Sequence, residues 1–291
     1  MKRSVVSDLW HRAFRSGNPL YFFIAINIVV FVSLGLLSLI QALGLTQAPL
    51  AEYVASWIGL PASLPSLAVK PWTLITYMFT QEGMFHLLFN MLWLFWLGII
   101  FLDFLKPRQF TFVYLAGGLA GGLVFVVMYN LVPVFRVDTQ WAVLVGSSAS
   151  VSAVVFATAT LLPDYAIRLL FFGNVRLKYL AFAFLILDVL AIAGTNAGGS
   201  MAHIGGAFLG FFYTKRLQAG YDWSRVFTRK KKKRRLRVIR NEQSSYEEPL
   251  VPNQEVIDRI LDKISQSGYD SLTKAEKEAL FKASKQGQNE Y

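Results

Sequence analysis

Residues 197–213 read AGGSMAHIGGAFLGFFY, an uncharged and mostly apolar run with one histidine in its first half. A helix of roughly 20 such residues crosses the ~30 Å hydrocarbon core of a bilayer, and lipid forces it to be helical because it offers the backbone no hydrogen bonds. Five further runs of this kind precede it, at residues 21–40, 84–102, 110–128, 141–162 and 179–195. The pattern predicts an all-α membrane protein, a bundle of six transmembrane helices.

The composition of the 291 residues agrees with this class. Hydrophobic residues make up 54% of the chain and charged residues 16%, whereas soluble domains are about one quarter charged. Such an apolar chain, with 7 Trp, 12 Tyr and 24 Phe, is neither disordered nor a coiled coil. The lack of cysteine excludes disulfides, thiolate zinc sites and cysteine nucleophiles. We expect no metal and no cofactor, because the sequence shows no clustered metal ligands.

The net charge of +11 is concentrated in one segment, since nine of the 29 Lys and Arg residues lie between Arg229 and Arg240. We therefore expect no nucleic-acid partner, and we interpret the segment as a polybasic stretch that attracts anionic lipid. A topology signal without a lipid partner is the alternative. Lys and Arg are also concentrated in the N-terminal segment and in the loops after the second and fourth spans. The positive-inside rule then makes both termini cytoplasmic, and we expect a bacterial inner membrane.

Four regions follow from these patterns. We expect a cytoplasmic N-terminal segment in residues 1–18, the six-helix core in residues 19–216, a polybasic and polar linker in residues 217–253, and a small helical hairpin in residues 254–291. The hairpin is indicated by apolar residues at helical spacing and by a capping box at the start of its second helix. Residues 44–83, between the first two spans, are too apolar for a solvated loop, and we expect them in or on the outer leaflet.

Three reactive side chains occur at a similar depth inside the predicted spans. His86 lies near the start of the second span, Ser148 near the start of the fourth and His203 near the start of the last. At 1.5 Å per residue, all three are roughly 5–10 Å below the outer boundary. A hydrolytic site that water reaches from outside needs this arrangement. Ser147 and Ser150 are alternative nucleophiles on spacing alone.

Small residues predict close packing between the fourth and last spans. Gly206 and Gly210 repeat at the same four-residue step as Ser148 and Ser152, and Gly146 adds a small residue at the start of the fourth span. Residues of this size let two helix backbones approach closely. The approach brings the Ser148 hydroxyl within hydrogen-bond reach of an imidazole on the neighbouring helix.

Hydrogen-bond donors stand beside this serine. His86 and Asn90 are four residues apart, so a helix places both on one face. An imidazole and a carboxamide can each donate to an oxygen that acquires negative charge. Ser148, close to a helix N-terminus, adds unpaired backbone N–H groups and a favourable helix dipole. The sequence therefore predicts an oxyanion-binding group next to a serine nucleophile.

Taken together, these motifs resemble the rhomboid family of intramembrane serine proteases. The motifs are His86-x-x-x-Asn90, Gly146-x-Ser148 and Ala202-His203-x-x-Gly206-x-x-x-Gly210. The resemblance implies a catalytic dyad, with Ser148 as nucleophile and His203 as general base and then acid. It also implies an oxyanion hole formed by the Ser148 N–H, His86 and Asn90. The substrates it implies are transmembrane segments of other membrane proteins, which reach the site past a gate at the fifth span.

The chain departs from the family pattern near the expected site. Many members have a bulky residue that packs on the catalytic imidazole four residues after the nucleophile; this chain has Ser152, so another contact would hold His203. The first loop has Trp72-Thr73 where members often have Trp-Arg. Asp188 lies in the fifth span. We interpret it as a group that makes a structural hydrogen bond or stays protonated, nearer the bilayer centre than the site, with a triad acid or a proton relay as alternatives.

Two other functions are compatible with a membrane bundle. A non-catalytic rhomboid-like protein would bind transmembrane clients without cleaving them, although such relatives typically lack the serine or the histidine. A small transporter would need paired ionisable groups near the bilayer midplane, and only Asp188 fits that requirement. The sequence therefore favours an intramembrane serine endopeptidase.

Overall fold

The computed structural model describes residues 5–169, 173–194, 196–227 and 253–286. The chain divides into two compact units, residues 1–230 and residues 231–291. The first unit holds all six predicted spans, and the second holds the predicted hairpin. The basic segment between Arg229 and Arg240 lies outside the described residues, so its attraction to anionic lipid stays a prediction.

The described part of the first unit is almost entirely helical. Its helices are α1 Val5–Trp10, α2 Pro19–Ala42, α3 Leu50–Ile58, α4 Leu64–Val69, α5 Thr73–Thr76, α6 Met84–Phe104, α7 Pro107–Leu131, α8 Pro133–Arg136, α9 Ser148–Leu161, α10 Leu177–Ala191 and α11 Ala197–Gln218. Two short antiparallel pairs accompany them, β1 Leu60–Pro61 with β2 Val143–Leu144, and β3 Ala166–Leu169 with β4 Gly173–Arg176. The all-α membrane bundle predicted from the sequence is confirmed.

A helix stands at the position of each predicted span. Three of them, α2, α6 and α7, are long and apolar enough to cross a bilayer, and α9 is a shorter apolar helix. The total of six spans stays a prediction. The predicted fourth span, residues 141–162, is too long at its start, because β2 pairs with β1 in extended backbone before α9 begins. Ser148 is therefore the first residue of its helix rather than a residue two turns inside it.

Helix α9 lies at the centre of the bundle, where it packs against α6, α7 and α11. Most of its side chains are buried, and most of them are small, so its neighbours approach the backbone itself. A Cβ added at Gly206 would collide with the carbonyl oxygen of Ala149, and one at Gly210 with that of Ala153. The expected pairing of these glycines with Ser148 and Ser152 is thus wrong by one residue.

The segment between α2 and α6 is folded against the bundle. The rings of Trp57 and Trp72 stack with their centroids 5.9 Å apart and their planes 4° from parallel. Trp72 Nε1 donates to the Trp57 carbonyl at 2.8 Å, and Thr76 Oγ1 donates to the Ile58 carbonyl at 2.7 Å. Strand β1 in this segment holds β2, so the segment helps to fix the backbone that leads into α9.

An ionic cluster around Asp222 connects the start of α7 to the residues that follow α11. Arg108 Nη2 donates to Asp222 Oδ2 at 2.7 Å, and the Tyr213 hydroxyl donates to Asp222 Oδ1 at 3.2 Å. Burial by itself would raise the pKa of Asp222, but hydrogen bonds from Ser224 and Arg108 outweigh burial and lower it. The carboxylate therefore stays charged and holds these two ends together.

The second unit contains α12 Gln254–Ser267 and α13 Lys274–Gln286. The capping box predicted at the start of α13 is present, with the Thr273 N–H donating to Glu276 Oε2 at 2.7 Å. Lys263 on α12 donates to both oxygens of the same carboxylate, at 2.9 and 3.0 Å. These hydrogen bonds, that from Lys263 foremost, lower the pKa of Glu276 to about 2. Ile260 and Leu272 are the buried apolar residues of this unit among those described.

Candidate active site

A cavity of about 380 Å³ lies between the N-terminal ends of α6, α9 and α11. The four side chains to which the sequence assigned chemistry all line it, namely Ser148, His203, His86 and Asn90. Further lining comes from Glu82, from the strand residues before α9 and from Asn196, which caps α11 by accepting the Gly199 N–H at 3.1 Å. Reactive groups from three helices far apart in sequence therefore face one polar space.

The structure distinguishes Ser148 from the two alternative serines. Ser147 is fully buried, and its Oγ accepts a hydrogen bond from Gln81 Nε2 at 2.9 Å. Ser150 is also fully buried and faces α7 at Gly118. Neither is among the residues that line the cavity, whereas Ser148 is. As the first residue of α9, Ser148 also lies where backbone N–H groups are unpaired and the helix dipole favours negative charge.

Gly146 lies between the Ser148 hydroxyl and the His86 ring. Its φ of +122° falls in the region that favours glycine. A Cβ at this position would be 2.8 Å from His86 Cε1 and 3.5 Å from Ser148 Oγ, so a side chain would displace the ring. The expected role of Gly146 in helix packing is therefore corrected, because the residue precedes α9 and separates two groups of the cavity.

The His86 ring has its two nitrogens in different surroundings. Nδ1 accepts a long hydrogen bond, 3.5 Å, from the Glu82 backbone N–H in the turn before α6. A neutral imidazole that accepts through Nδ1 carries its proton on Nε2. Nε2 would be 3.1 Å from a Cβ built at Gly146, and the His86 ring lines the cavity. In this tautomer His86 can donate a hydrogen bond from Nε2 into the cavity.

Asn90 is held by a residue that sequence reasoning missed, Gln81. Asn90 Nδ2 donates to Gln81 Oε1 at 3.0 Å, and Gln81 Nε2 donates both to Ser147 Oγ and, at 2.7 Å, to Asn27 Oδ1. All four residues are buried. Gln81 therefore connects the donor on α6 with the residue that precedes Ser148. The available signal was a polar, uncharged side chain just before an apolar span, where such groups are costly unless bonded.

His203 contacts Asp188, a residue that the sequence analysis placed away from the site. Its Nδ1 is 2.7 Å from Asp188 Oδ1, and the exposed fractions of the two side chains are 24% and 16%. The expectation that Asp188 lies nearer the bilayer centre than the site is wrong. The cause is the length of α10, which ends at Ala191 and not at residue 195, so that Asp188 stands in its last turn, beside the first half of α11.

A family model of the rhomboid domain matches residues 68–219, more than half of the chain. The chain belongs to the rhomboid family. The matched range of this rhomboid includes all four cavity residues and Asp188, together with α6 to α11. Family and apolar helices together make it an integral membrane protein.

The remaining comparisons concern the rest of this rhomboid. A second model, a family of unknown function (DUF6576), matches residues 244–286, which include α12 and α13. No curated protein matches the chain significantly. Among the described residues, no group of three or more His, Asp or Glu side chains is placed to hold a metal ion.

Proposed function

We propose that this rhomboid is an intramembrane serine endopeptidase that cleaves transmembrane segments of other membrane proteins. One observation carries the proposal: Ser148 and His203 line the same cavity as two hydrogen-bond donors, His86 and Asn90. A nucleophile, a base and oxyanion donors around one space are the components of acyl transfer.

In the first half of the reaction, His203 Nε2 accepts the proton of the Ser148 hydroxyl while Oγ attacks the carbonyl carbon of the substrate peptide bond. The C=O π electrons move to the carbonyl oxygen and give a tetrahedral oxyanion. When the intermediate collapses, the C–N bond breaks, and His203 returns its proton to the leaving amine. The product is an acyl ester on Ser148.

In the second half, a water molecule gives its proton to His203 and attacks the ester carbon. The intermediate then expels Ser148 Oγ, which recovers the proton. The polar lining of the cavity, including Glu82 and Asn196, provides the surroundings in which water can stay near the ester. Hydrolysis therefore restores the free enzyme without any further group.

The oxyanion is stabilised by donors that are in place before the reaction. These donors are the backbone N–H of Ser148 at the start of α9, the His86 Nε2–H and the Asn90 amide. Glu82 fixes the tautomer of His86, and Gln81 fixes the orientation of Asn90. Donors held in this way cost little reorganisation at the moment of reaction.

The proposed substrate class follows from the position of the site. The cavity is built from the ends of membrane helices, so a substrate that reaches it sideways is itself in the bilayer. A peptide carbonyl in an intact helix is engaged in an internal hydrogen bond and hidden by the preceding turn. We therefore expect cleavage where a span unwinds easily, near its end on the outer side, with both termini of the enzyme in the cytoplasm.

The test is cleavage of single-span proteins in proteoliposomes, with helix-destabilising residues at the outer end of the span. Ser148→Ala abolishes cleavage, while Ser152→Ala, a matched change one turn along α9, retains it. Equal cleavage by wild type and Ser148→Ala contradicts the mechanism. Folded wild type that binds such segments without cleaving them, in equal measure to Ser148→Ala, instead supports the non-catalytic alternative.

A further inference from the structure

The Ser148–His203 dyad of the proposed function does not include the contact between Asp188 and His203. Asp188 Oδ1 and His203 Nδ1 are 2.7 Å apart, a short charge-assisted distance. We propose that Asp188 is a positioning residue for His203, so that the site works as a Ser148–His203–Asp188 triad. This inference rests on the proposed function and names the group that controls its base.

The carboxylate decides which ring nitrogen carries the proton. An ionised carboxylate only accepts hydrogen bonds, so a neutral His203 ring must carry its proton on Nδ1 to bond Asp188. The lone pair is then on Nε2, the atom that has to accept the Ser148 proton. The opposite tautomer would present an N–H to the hydroxyl, and such a ring cannot act as a base.

The same contact stabilises the charged intermediate. When His203 takes the serine proton it becomes an imidazolium, next to a carboxylate at hydrogen-bond distance. Both side chains are mostly buried, so their attraction is screened less than it would be in water. The pair thus lowers the cost of the proton transfer as well as orienting the ring.

Asp188 has no competing partner in the part of the chain that the structure describes. Its side chain makes one hydrogen bond or ion pair there, the one to His203. Lys178, the basic residue on the same helix, lies at the opposite end of α10 and pairs with Asp164 at 2.7 Å. An ionisable group inside a membrane protein is costly without a partner, and the imidazole supplies one.

A helix-fixing role alone would not require a carboxylate. Asparagine has nearly the same shape as aspartate, and its amide can donate to Nδ1 as well as accept from it. A structural contact therefore survives Asp188→Asn. A triad does not, because the amide can hold the ring in the wrong tautomer, which in soluble triads costs on the order of 10⁴-fold in kcat.

The experiment measures kcat and KM for transmembrane-substrate cleavage in proteoliposomes for wild type, Asp188→Asn, Asp188→Ala and Ser148→Ala. Asp164→Asn is the matched control, since it makes the same carboxylate-to-amide change at an exposed residue that pairs with Lys178 and does not line the cavity. We expect both Asp188 variants to lose roughly 10²- to 10⁴-fold in kcat with KM within about threefold. Asp164→Asn retains the wild-type kcat.

A second measurement needs no variant of Asp188. The chain has three histidines, so the imidazole ¹⁵N signals of the full-length protein in detergent can be assigned with His11→Gln and His86→Gln. In a pH series, the signal of the neutral His203 ring is expected to show its proton on Nδ1 in the wild type. A proton on Nε2 overturns the proposal, even if the Asp188 variants do not fold.

Different results contradict the proposed protease function and the proposed triad. If Ser148→Ala cleaves as fast as wild type, the proposed function is wrong, and the triad with it. If Ser148→Ala is inactive while Asp188→Asn and Asp188→Ala turn over like wild type, the protease stands and Asp188 has no positioning role.

Discussion

The contact between α9 and α11 gives a sharp prediction, because Gly206→Ala adds a single carbon where the two helix backbones touch. The new Cβ would be 2.9 Å from the Ala149 carbonyl carbon and closer still to its oxygen. Carbon contacts are comfortable only from about 3.5 Å, so the helices must separate by on the order of 1 Å. The atoms in the way are backbone, and no rotamer change relieves the clash.

This separation acts on the chemistry as well as on stability. Ala149 follows Ser148 directly, and Gly206 is one helical turn from His203, so the shift moves the hydroxyl and the imidazole apart. A misplacement of 1 Å can cost on the order of 100-fold in rate, and overpacking costs about 1–3 kcal/mol of stability. We therefore expect a roughly 100-fold lower kcat and a lower Tm for Gly206→Ala.

The assay is cleavage in detergent and in proteoliposomes, with Tm measured on the same preparations. Gly35→Ala is the matched control, since a Cβ at that position in α2 meets no atom within 4 Å; it leaves both quantities unchanged. Ala149→Gly does not rescue Gly206→Ala, because the obstacle is the carbonyl group and not the alanine methyl. Wild-type kcat and Tm in Gly206→Ala would refute the packing argument.

Three further outcomes follow. Asn90→Ala removes one oxyanion donor and lowers kcat roughly 100- to 1000-fold with a small change in KM; an unchanged kcat excludes that role. Asp222→Asn weakens the bond to Arg108 and lowers the free energy of unfolding by about 1–3 kcal/mol, which is measured as a lower Tm in detergent. An unchanged Tm contradicts the role of the cluster. The pKa of Glu276 in the folded protein is lowered from 4.5 to about 2, so its stabilising effect is present above pH 4.5 and is lost as the pH falls toward 2. Hydrogen exchange of residues 254–286 in the full chain is therefore expected to be faster in Glu276→Gln than in wild type at pH 7. At pH 2 the two proteins should exchange at the same rate.

The features that could be predicted from the sequence are those encoded locally. Long apolar runs require helices in a bilayer, so the positions of the helices followed from length and hydropathy alone. Polar groups inside such runs are rare enough to stand out, which is why Ser148, His203, His86 and Asn90 could be selected from the sequence alone. Spacing also placed His86 and Asn90 on one face of α6.

The features that could not be predicted depend on where helices end and how they turn toward each other. Asp188 was misplaced because the end of α10 was set four residues too late, at residue 195 rather than Ala191. Gly206 was paired with Ser148 rather than Ala149 because hydropathy does not fix the rotation of a helix that is buried on most sides. Gln81 escaped notice because its role is a tertiary network, with partners at Asn27, Asn90 and Ser147.

Most of these errors concern contacts between residues far apart in the sequence, and such contacts also hold the side chains of the site. Hydrogen bonds between side chains far apart in sequence have no periodic signature, and they decide the tautomers and orientations on which catalysis depends. In this chain, two such contacts surround the predicted residues: Gln81 on Asn90, and Asp188 on His203. Sequence motifs thus select the candidate residues, and the structure shows the contacts that hold two of them.

The most direct measurement is mass spectrometry of the full-length protein in membranes after reaction with a fluorophosphonate, which modifies a serine only where a base activates it. We expect a single adduct on Ser148, which disappears in His203→Ala. An adduct on Ser147 or Ser150, or no adduct on folded wild-type protein, contradicts the proposed mechanism.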